Sequence, residues 1–268
     1  MAAERVDAIS KKLFPIIFKG ESSEEQLRSP LIELLKQNAD NGQVESMLKY
    51  GLVLFKGEGV RMDRKEGCRY IKMAAGNGNS EAMTIYGLYL LKGEHVPIDK
   101  EQGEMHIKKA ADEEDSLAIT TYALMLEKGE EVDCDIDEAC RYYKMGIEKG
   151  NTLAMLQYGE LLIAGEKIPR DVNEGYRYIK MADDNGDERG MQLYGQMKYY
   201  GIVVDEDKSE GKSYLKMSAE KGDIESIHLL CEILVKEGGK KNLQIAFYKS
   251  ILFKINLLEE RKKSNSSF

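Results

Sequence analysis

The chain has 268 residues, a formal net charge of −8 and 42% hydrophobic residues, enough apolar material to form a core. This acidic balance argues against binding to nucleic acid, because that mode of binding depends on lysine and arginine clustered against phosphates. Four cysteines are too few for a disulfide framework in a chain of this length, so we expect free thiols and a reducing compartment.

The N-terminal region carries no recognisable targeting or membrane signal. Charged residues interrupt its first dozen positions, and the apolar run at 13–18 is short and contains Pro15. No stretch of the sequence approaches the roughly 18 consecutive apolar residues that a membrane span requires. We therefore expect a cytoplasmic protein with no membrane span.

The chain then repeats itself with a period of 36 residues. Six repeats, numbered 1 to 6 below, begin without insertions at Val44, Ser80, Ser116, Thr152, Glu188 and Ile224. Tyrosine recurs at 50, 86, 122, 158 and 194, glycine at 57, 93, 129, 165 and 201, and aspartate at 63, 99, 135, 171 and 207. Such recurrence at a fixed spacing within one chain indicates a repeat architecture.

Each repeat predicts two helices, which we call its A helix and its B helix. In repeat 1, small and apolar residues recur from Met47 to Leu54 at the spacing of one helical face, and the A helix is expected to end at Gly57. Asp63 with Glu66 three residues later matches a capping box at the start of the B helix.

Recurrent small residues inside both helices predict that the two helices pack closely. Gly51 and Gly67 represent these positions in repeat 1, and a glycine in a helix interior costs about 1 kcal/mol relative to alanine. One helix pair cannot bury its apolar face alone, whereas stacked pairs can. The predicted fold is therefore all-α: a right-handed α/α solenoid of stacked antiparallel helix pairs, with about six repeats and degenerate ends.

The ends of the repeat region predict the domain organisation. Pro15 stands where the first helix of a preceding repeat would have glycine, while Leu243 and Leu258 replace the aspartate and the closing glycine of repeat 6. We expect a degenerate N-terminal repeat or cap at 1–43, five regular repeats at 44–223, a degenerate repeat with a capping helix at 224–258, and a disordered tail at 259–268.

The repeated pattern resembles the SEL-one-like repeat, a relative of the tetratricopeptide repeat, over about residues 27–258. The residues that carry the resemblance are Ala82, Gly87, Gly93, Val96 and Asp99 in repeat 2, and Gly159, Gly165 and Asp171 in repeat 4. Tyr70 departs from the pattern, because the family often has tryptophan at this position. The resemblance implies an adaptor in signalling, secretory-pathway quality control or the assembly of protein complexes.

Fragments that resemble catalytic or metal-binding motifs fail on their spacing. Residues 211–213 resemble the end of a phosphate-binding loop, but Glu206 occupies the place of its first glycine. Aspartates at 133, 135 and 137 resemble the start of a calcium loop, but Glu138 and Lys144 stand where glycine and glutamate are needed. The histidines His95, His106 and His228 show no paired helical spacing. We predict no catalytic, cofactor or metal site and no small-molecule substrate.

Two columns of recurrent side chains allow alternative interpretations. The tyrosine column is expected in the core, the alternative being contacts with an aromatic ligand. The lysines at 72, 108, 144, 180 and 216 are expected to form a solvated outer ridge, the alternative being a binding surface for an acidic partner.

A face of the A helices beside the core predicts the binding surface. In tetratricopeptide-like stacks the first helices line the concave surface, and positions 2, 5, 9 and 12 of each repeat would look into it. The apolar residues at these positions are Leu48, Leu52, Phe55, Leu88, Leu91, Leu124, Leu156, Ile163 and Tyr199, with Lys56, Lys92 and Lys128 along the edge. We expect a groove for a helix or extended peptide of a partner protein. The alternative is that packing between repeats hides most of these residues.

The predicted function is thus a non-enzymatic scaffold or adaptor that binds a partner protein. The alternative from another class is a regulatory or targeting subunit of an enzyme complex in signalling or protein quality control.

Overall fold

A computed structural model describes residues 25–237, and α-helices form all the regular secondary structure of that part of the chain. The helix α1 spans Glu25–Asp40. The A helices are α2 (Val44–Lys56), α4 (Ser80–Lys92), α6 (Ser116–Lys128), α8 (Thr152–Ala164), α10 (Glu188–Tyr200) and α12 (Ile224–Lys236). The B helices are α3 (Arg64–Gly76), α5 (Lys100–Asp112), α7 (Ile136–Glu148), α9 (Val172–Asp184) and α11 (Lys208–Glu220). The predicted all-α solenoid of helix pairs is confirmed.

The ends of the helices lie where the recurrent glycines and aspartates predict them. Gly93 ends α4 in the left-handed region at φ 67°, and its N–H donates to the carbonyl of Tyr89. The carboxylate of Asp99 then accepts the N–H of Gln102 at 3.0 Å and begins α5. The third residue of the expected capping box has another partner in repeat 1, because Glu66 binds the guanidinium of Arg69 at 2.7 Å and 2.9 Å.

The small residues inside the helices lie where the two helices of a repeat meet. A Cβ atom added to Gly87 would lie 2.7 Å from the carbonyl oxygen of Gly103 and 2.6 Å from Cγ1 of Ile107. These distances are shorter than any ordinary carbon contact, so only glycine allows this approach. Repeat 3 has Ala123 and Ala139 at the equivalent positions, and both are fully buried.

The chain divides into two compact units, the first ending at Gly146 and the second beginning at Ile147. Within the first unit the consecutive helices from α1 through α6 contact one another in order, and the A helices α4 and α6 also contact each other. Within the second unit α8 to α12 contact in the same order, and α8 contacts α10. Contacts between successive A helices place these helices side by side in both units.

The tyrosine column lies in the core, as predicted: its five members are at most 8% exposed. A second set of tyrosines, on the B helices, links successive repeats of the first unit. The hydroxyl of Tyr70 donates to Asp40 of α1 at 2.5 Å, and the hydroxyl of Tyr142 donates to Asp112 of α5 at 2.6 Å. The tyrosine that departs from the family pattern therefore forms a hydrogen bond between repeats.

Four members of the lysine column are exposed and form the predicted solvated ridge, and Lys180 is the exception: the four are Lys72, Lys108, Lys144 and Lys216. Lys180 is partly buried, with its ammonium 4.3 Å from the centre of the Tyr194 ring and 2.6 Å from a carboxylate oxygen of Asp183. The ammonium groups of Lys72 and Lys108 also lie over tyrosine rings of the following repeat, at 5.8 Å and 6.0 Å. The column follows the tyrosine column because the end of each B helix packs beside the next A helix.

The domain boundaries stay a prediction. The expectations for Pro15, for the capping helix after residue 237 and for the tail at 259–268 fall on residues outside the described range. None of the helices within residues 25–237 has the length and hydropathy that a membrane span requires.

Candidate functional site

The structure places most of the apolar residues of the predicted groove inside the repeat stack. Leu48, Leu52, Leu91, Leu124 and Leu156 are at most 8% exposed. For these five residues the expectation of an open apolar groove is wrong, and packing within the stack hides them. The reason is visible at position 12, where the side chain turns towards the B helix of the same repeat: a Cβ atom on Gly103 would lie 2.8 Å from Cγ of Leu91.

The other four apolar residues of the predicted groove are partly exposed. Phe55 stacks on Tyr89 with ring centres 5.2 Å apart, and Ile163 lies against Gly175 of its own repeat. Tyr199 packs beside the core of the second unit. The fourth residue is Leu88, at position 9 of α4, and its side chain is partly exposed to solvent.

Positions 2, 6, 9 and 13 of each A helix form one strip, most of whose residues are exposed or partly exposed. In the first unit we call these residues the A-helix face: Glu45, Lys49, Leu52, Lys56, Glu81, Ile85, Leu88, Lys92, Leu117, Thr121, Leu124 and Lys128. Leu52, Ile85 and Leu124 form a buried floor, while Leu88 and Leu117 are partly exposed. Sequence reasoning missed position 6 and assigned position 13 only to the edge; the signal that joins them in one face is the spacing i, i+4, i+7, i+11.

Lysines form one edge of this face. Lys56, Lys92 and Lys128 are the last residues of α2, α4 and α6. Lys56 lies 3.9 Å from Glu58, whereas no ion pair is recorded for Lys92 or Lys128 within residues 25–237. All three lysines were predicted as an edge, and the structure leaves Lys128 exposed and the other two partly exposed.

These lysines are not needed to end their helices. In the second unit Ala164 and Tyr200 occupy the same position, and α8 and α10 still end at Gly165 and Gly201, each with φ of 65°. A helix C-terminus favours a nearby cation by about 0.3–1 kcal/mol, so the lysines contribute to stability without being required. Their alignment on three successive helices is therefore a property of the surface of the first unit.

Glutamates lie at the opposite end of the face. Glu45 and Glu81 occupy position 2 of α2 and α4, and Lys49 lies 3.2 Å from Glu45. One carboxylate oxygen of Glu81 is buried with no hydrogen-bond partner among the described residues. Burial raises the pKa of Glu81, as do the neighbouring charges of Asp115 and Glu45, while Lys49 opposes them. The A-helix face thus has an acidic end and a basic end.

The equivalent surface of repeats 4 and 5 carries less unpaired charge. Arg189 at position 2 of α10 donates to both carboxylate oxygens of Glu160 at position 9 of α8, at 2.8 Å and 2.9 Å. Ala164 and Tyr200 replace the lysines of the first unit. The two units therefore present different surfaces from the same helix positions.

The fragments that resembled chemical motifs have structural roles here. Asp135 accepts the N–H of Glu138 at 2.9 Å and begins α7, which confirms the interpretation as a helix cap. Residues 211–213 lie inside α11. His106 packs edge-on against Tyr86, with ring centres 5.5 Å apart. Within the described range, no three histidine, cysteine, aspartate or glutamate side chains are grouped as a metal ion would require.

Solved structures with the same fold come from several bacteria. A Sel1 repeat protein from Oxalobacter formigenes superposes with a TM-score of 0.73 at 23% identity, covering 84% of this chain and 99% of that one. The immunity protein PA5088 from Pseudomonas aeruginosa superposes with a TM-score of 0.57 at 14% identity, covering 81% and 82%. The protective antigen c5321 from uropathogenic Escherichia coli gives 0.54 at 23% identity, and this chain spans 55% of its length. No curated protein matches the sequence.

The sequence profile of the Sel1 repeat matches five consecutive segments: 44–79, 80–115, 116–151, 152–187 and 189–223. The first four coincide with repeats 1 to 4 as the internal period defines them, and the fifth begins one residue into repeat 5. Together they cover well over half of the sequence. The chain therefore belongs to the Sel1 repeat family.

Proposed function

We propose that this protein is a non-enzymatic interaction scaffold, and that it holds a segment of a partner protein against the A-helix face of its first unit. Sel1 repeat proteins are in general protein-interaction scaffolds. The observation that carries the proposal is the aligned lysine edge on three successive A helices, in which Lys92 and Lys128 form no ion pair within residues 25–237, whereas Ala164 and Tyr200 stand at this position in repeats 4 and 5.

The partner segment is amphipathic and carries acidic residues along one side. Those residues pair with Lys56, Lys92 and Lys128, and its apolar side chains contact Leu88 and Leu117. Exposed ion pairs are worth about 0.2–1 kcal/mol each, so the lysines chiefly orient the segment and accelerate its association. Affinity comes from apolar burial at about 25 cal/mol per Å².

We place the protein in the cytoplasm. The four cysteines all lie within residues 25–237 and form no disulfide there, and two of them, Cys68 and Cys231, are buried. Free thiols are typical of a reducing compartment. Fractionation of the source cells with an antibody against the protein tests this placement, and recovery from an oxidising compartment would contradict it.

Charge reversal with a matched control tests the binding face. The test variant is Lys92→Glu with Lys128→Glu, and the control is Lys100→Glu with Lys109→Glu on α5, which changes the net charge equally. Quantitative affinity capture from the source cells compares both with the native chain.

We expect the test variant to lose the main captured protein by roughly tenfold, about 1.4 kcal/mol, with circular dichroism and melting unchanged. The control variant retains it. Equal recovery with both variants would refute the proposed face, and turnover of a substrate by the pure protein would refute the non-enzymatic role.

A further inference from the structure

The junction between one B helix and the next A helix differs between repeats at position 25. In repeats 2 and 4, position 25 contacts the core tyrosine at position 7 of the following repeat. In repeat 4 the ring of Tyr176 packs on Tyr194, with ring centres 5.8 Å apart. In repeat 2 the carboxylate of Glu104 accepts the hydroxyl of Tyr122 at 3.0 Å. In repeats 1 and 3 this position is a cysteine, Cys68 and Cys140, whose side chain is far smaller.

A cleft lies at the junction where Cys68 stands. It has a volume of about 750 Å³, and its lining includes Cys68 and Lys72 of α3, Tyr86 and Leu90 of α4, and Ile98 of the following segment. Cleft volumes of about 300–1,000 Å³ are typical of ligand sites in proteins. The cleft shares no residue with the A-helix face.

Lys72, the lysine at this junction in repeat 1, lacks the two acidic partners of Lys180, the equivalent lysine in repeat 4. Lys180 in repeat 4 lies 2.6 Å from Asp183 and 2.9 Å from Asp184. In repeat 1 those two positions are Ala75 and Gly76, and Lys72 is exposed, with no ion pair recorded within residues 25–237. Lys72 still reaches the cleft, and its ammonium lies 5.8 Å from the centre of the Tyr86 ring.

We propose that this cleft is a second binding site, which takes a peptide segment of a partner protein with an aromatic side chain and an adjacent carboxylate. The aromatic ring enters beside Cys68 and packs on Tyr86, as Tyr176 packs on Tyr194. The carboxylate pairs with Lys72, as Asp183 pairs with Lys180. The ligand thus supplies the two groups that repeat 4 carries itself and repeat 1 lacks. Cys68 acts here through its small size, and burial raises the pKa of its thiol to about 11, so it remains protonated at neutral pH.

Titration of the ¹⁵N-labelled full chain with N-acetyltyrosine, followed by NMR, tests the site. N-acetyltyrosine carries the ring and the carboxylate, and N-acetyltyrosine amide is the matched probe without the charge. A ligand of this size is expected to bind with a Kd of the order of 1 mM. We expect shifts confined to α3, α4 and residues 93–99, with the amide binding at least fivefold more weakly.

Two reciprocal variants assign the site. Cys68→Tyr copies the residue of repeat 4, fills the cleft and abolishes the shifts. Tyr176→Cys copies the residue of repeat 1 and opens space for the ring, so a second set of shifts appears in α9 and α10. These shifts show no preference for the acid over the amide, because Asp183 and Asp184 still pair with Lys180.

The exposed Lys72→Gln, which leaves the core untouched, removes the preference for the acid over the amide even if Cys68→Tyr does not fold. The proposal fails if no shifts arise at about ten times the expected Kd, or if Lys72→Gln keeps the preference. Lys92→Glu with Lys128→Glu leaves this binding unchanged, so the result is independent of the A-helix face.

Discussion

Replacement of Gly87 by alanine tests whether the close approach of paired helices sets the spacing of the repeat. The new Cβ atom would lie 2.6 Å from Cγ1 of Ile107 and 2.7 Å from the carbonyl oxygen of Gly103. Relief requires α4 and α5 to separate, and overpacking of this kind costs about 1–3 kcal/mol. Alanine has a helix propensity about 1 kcal/mol more favourable than glycine, which offsets part of this cost. With an overpacking cost at the upper end of the range, about 3 kcal/mol, we expect the unfolding free energy to fall by about 2 kcal/mol.

Gly76→Ala is the matched control, because Gly76 is also helical but a Cβ atom there would meet nothing within 4 Å. It should stabilise the protein by about 0.5–1 kcal/mol. Differential scanning calorimetry measures both variants, and a loss of 2 kcal/mol corresponds to a fall in Tm of about 4–8 °C. If Gly87→Ala melts at or above the native temperature, the argument from helix spacing is wrong.

Three further substitutions test individual contacts. Burial raises the pKa of the Glu81 carboxylate, so Glu81→Gln stabilises the protein at pH 7 and the gain vanishes below pH 4.5. Thermal melts across this pH range measure the gain, and equal melting of both chains at pH 7 would contradict it. Tyr70→Phe removes the hydrogen bond to Asp40 and lowers the unfolding free energy by about 1 kcal/mol in urea; an unchanged midpoint would contradict this. Val203 has a φ of 73°, a left-handed conformation that is unfavourable for a β-branched residue. Val203→Gly removes this strain, so we expect the unfolding free energy to rise by about 1 kcal/mol. A lower urea midpoint would contradict this.

The fold could be predicted because its determinants are local and recur in one chain. An aspartate such as Asp99 begins each B helix and a glycine such as Gly93 ends each regular A helix, and both act within a few residues of themselves. The recurrent Gly51 indicates close packing of helices without identifying its partner. The period of 36 residues supplies the rest, since the same junction is built repeatedly.

The solvent-facing side of the A helices could not be read from the sequence with the same certainty. In repeat 1 every residue from Met47 to Leu54 except Lys49 is buried, so the periodicity identifies the core face but does not show which positions beside it are exposed. The predicted groove used positions 2, 5, 9 and 12 of each repeat, whereas the observed strip uses positions 2, 6, 9 and 13. The two sets differ only in that positions 5 and 12 are each replaced by the next residue. That small difference moved Leu48 and Leu91 from the expected groove into the core.

The differences between repeats depend on contacts that are distant in sequence. Cys68 becomes informative only when it is placed beside Tyr86 of the next repeat, and Tyr176 only beside Tyr194. A local pattern contains neither pair. Repetition therefore explains the architecture, whereas binding is assigned to positions where equivalent residues of the two units differ.

Site-specific photocrosslinking tests the proposed binding face most directly. A photoreactive amino acid replaces Leu88 on the A-helix face or, as the control, Met105 on α5, which is 50% exposed. Both variants are expressed in the source cells and irradiated, and crosslinked proteins are identified by mass spectrometry. The account predicts one dominant adduct from position 88 that is absent from position 105. Adducts that are the same at both positions, or an adduct at position 105 alone, would contradict it.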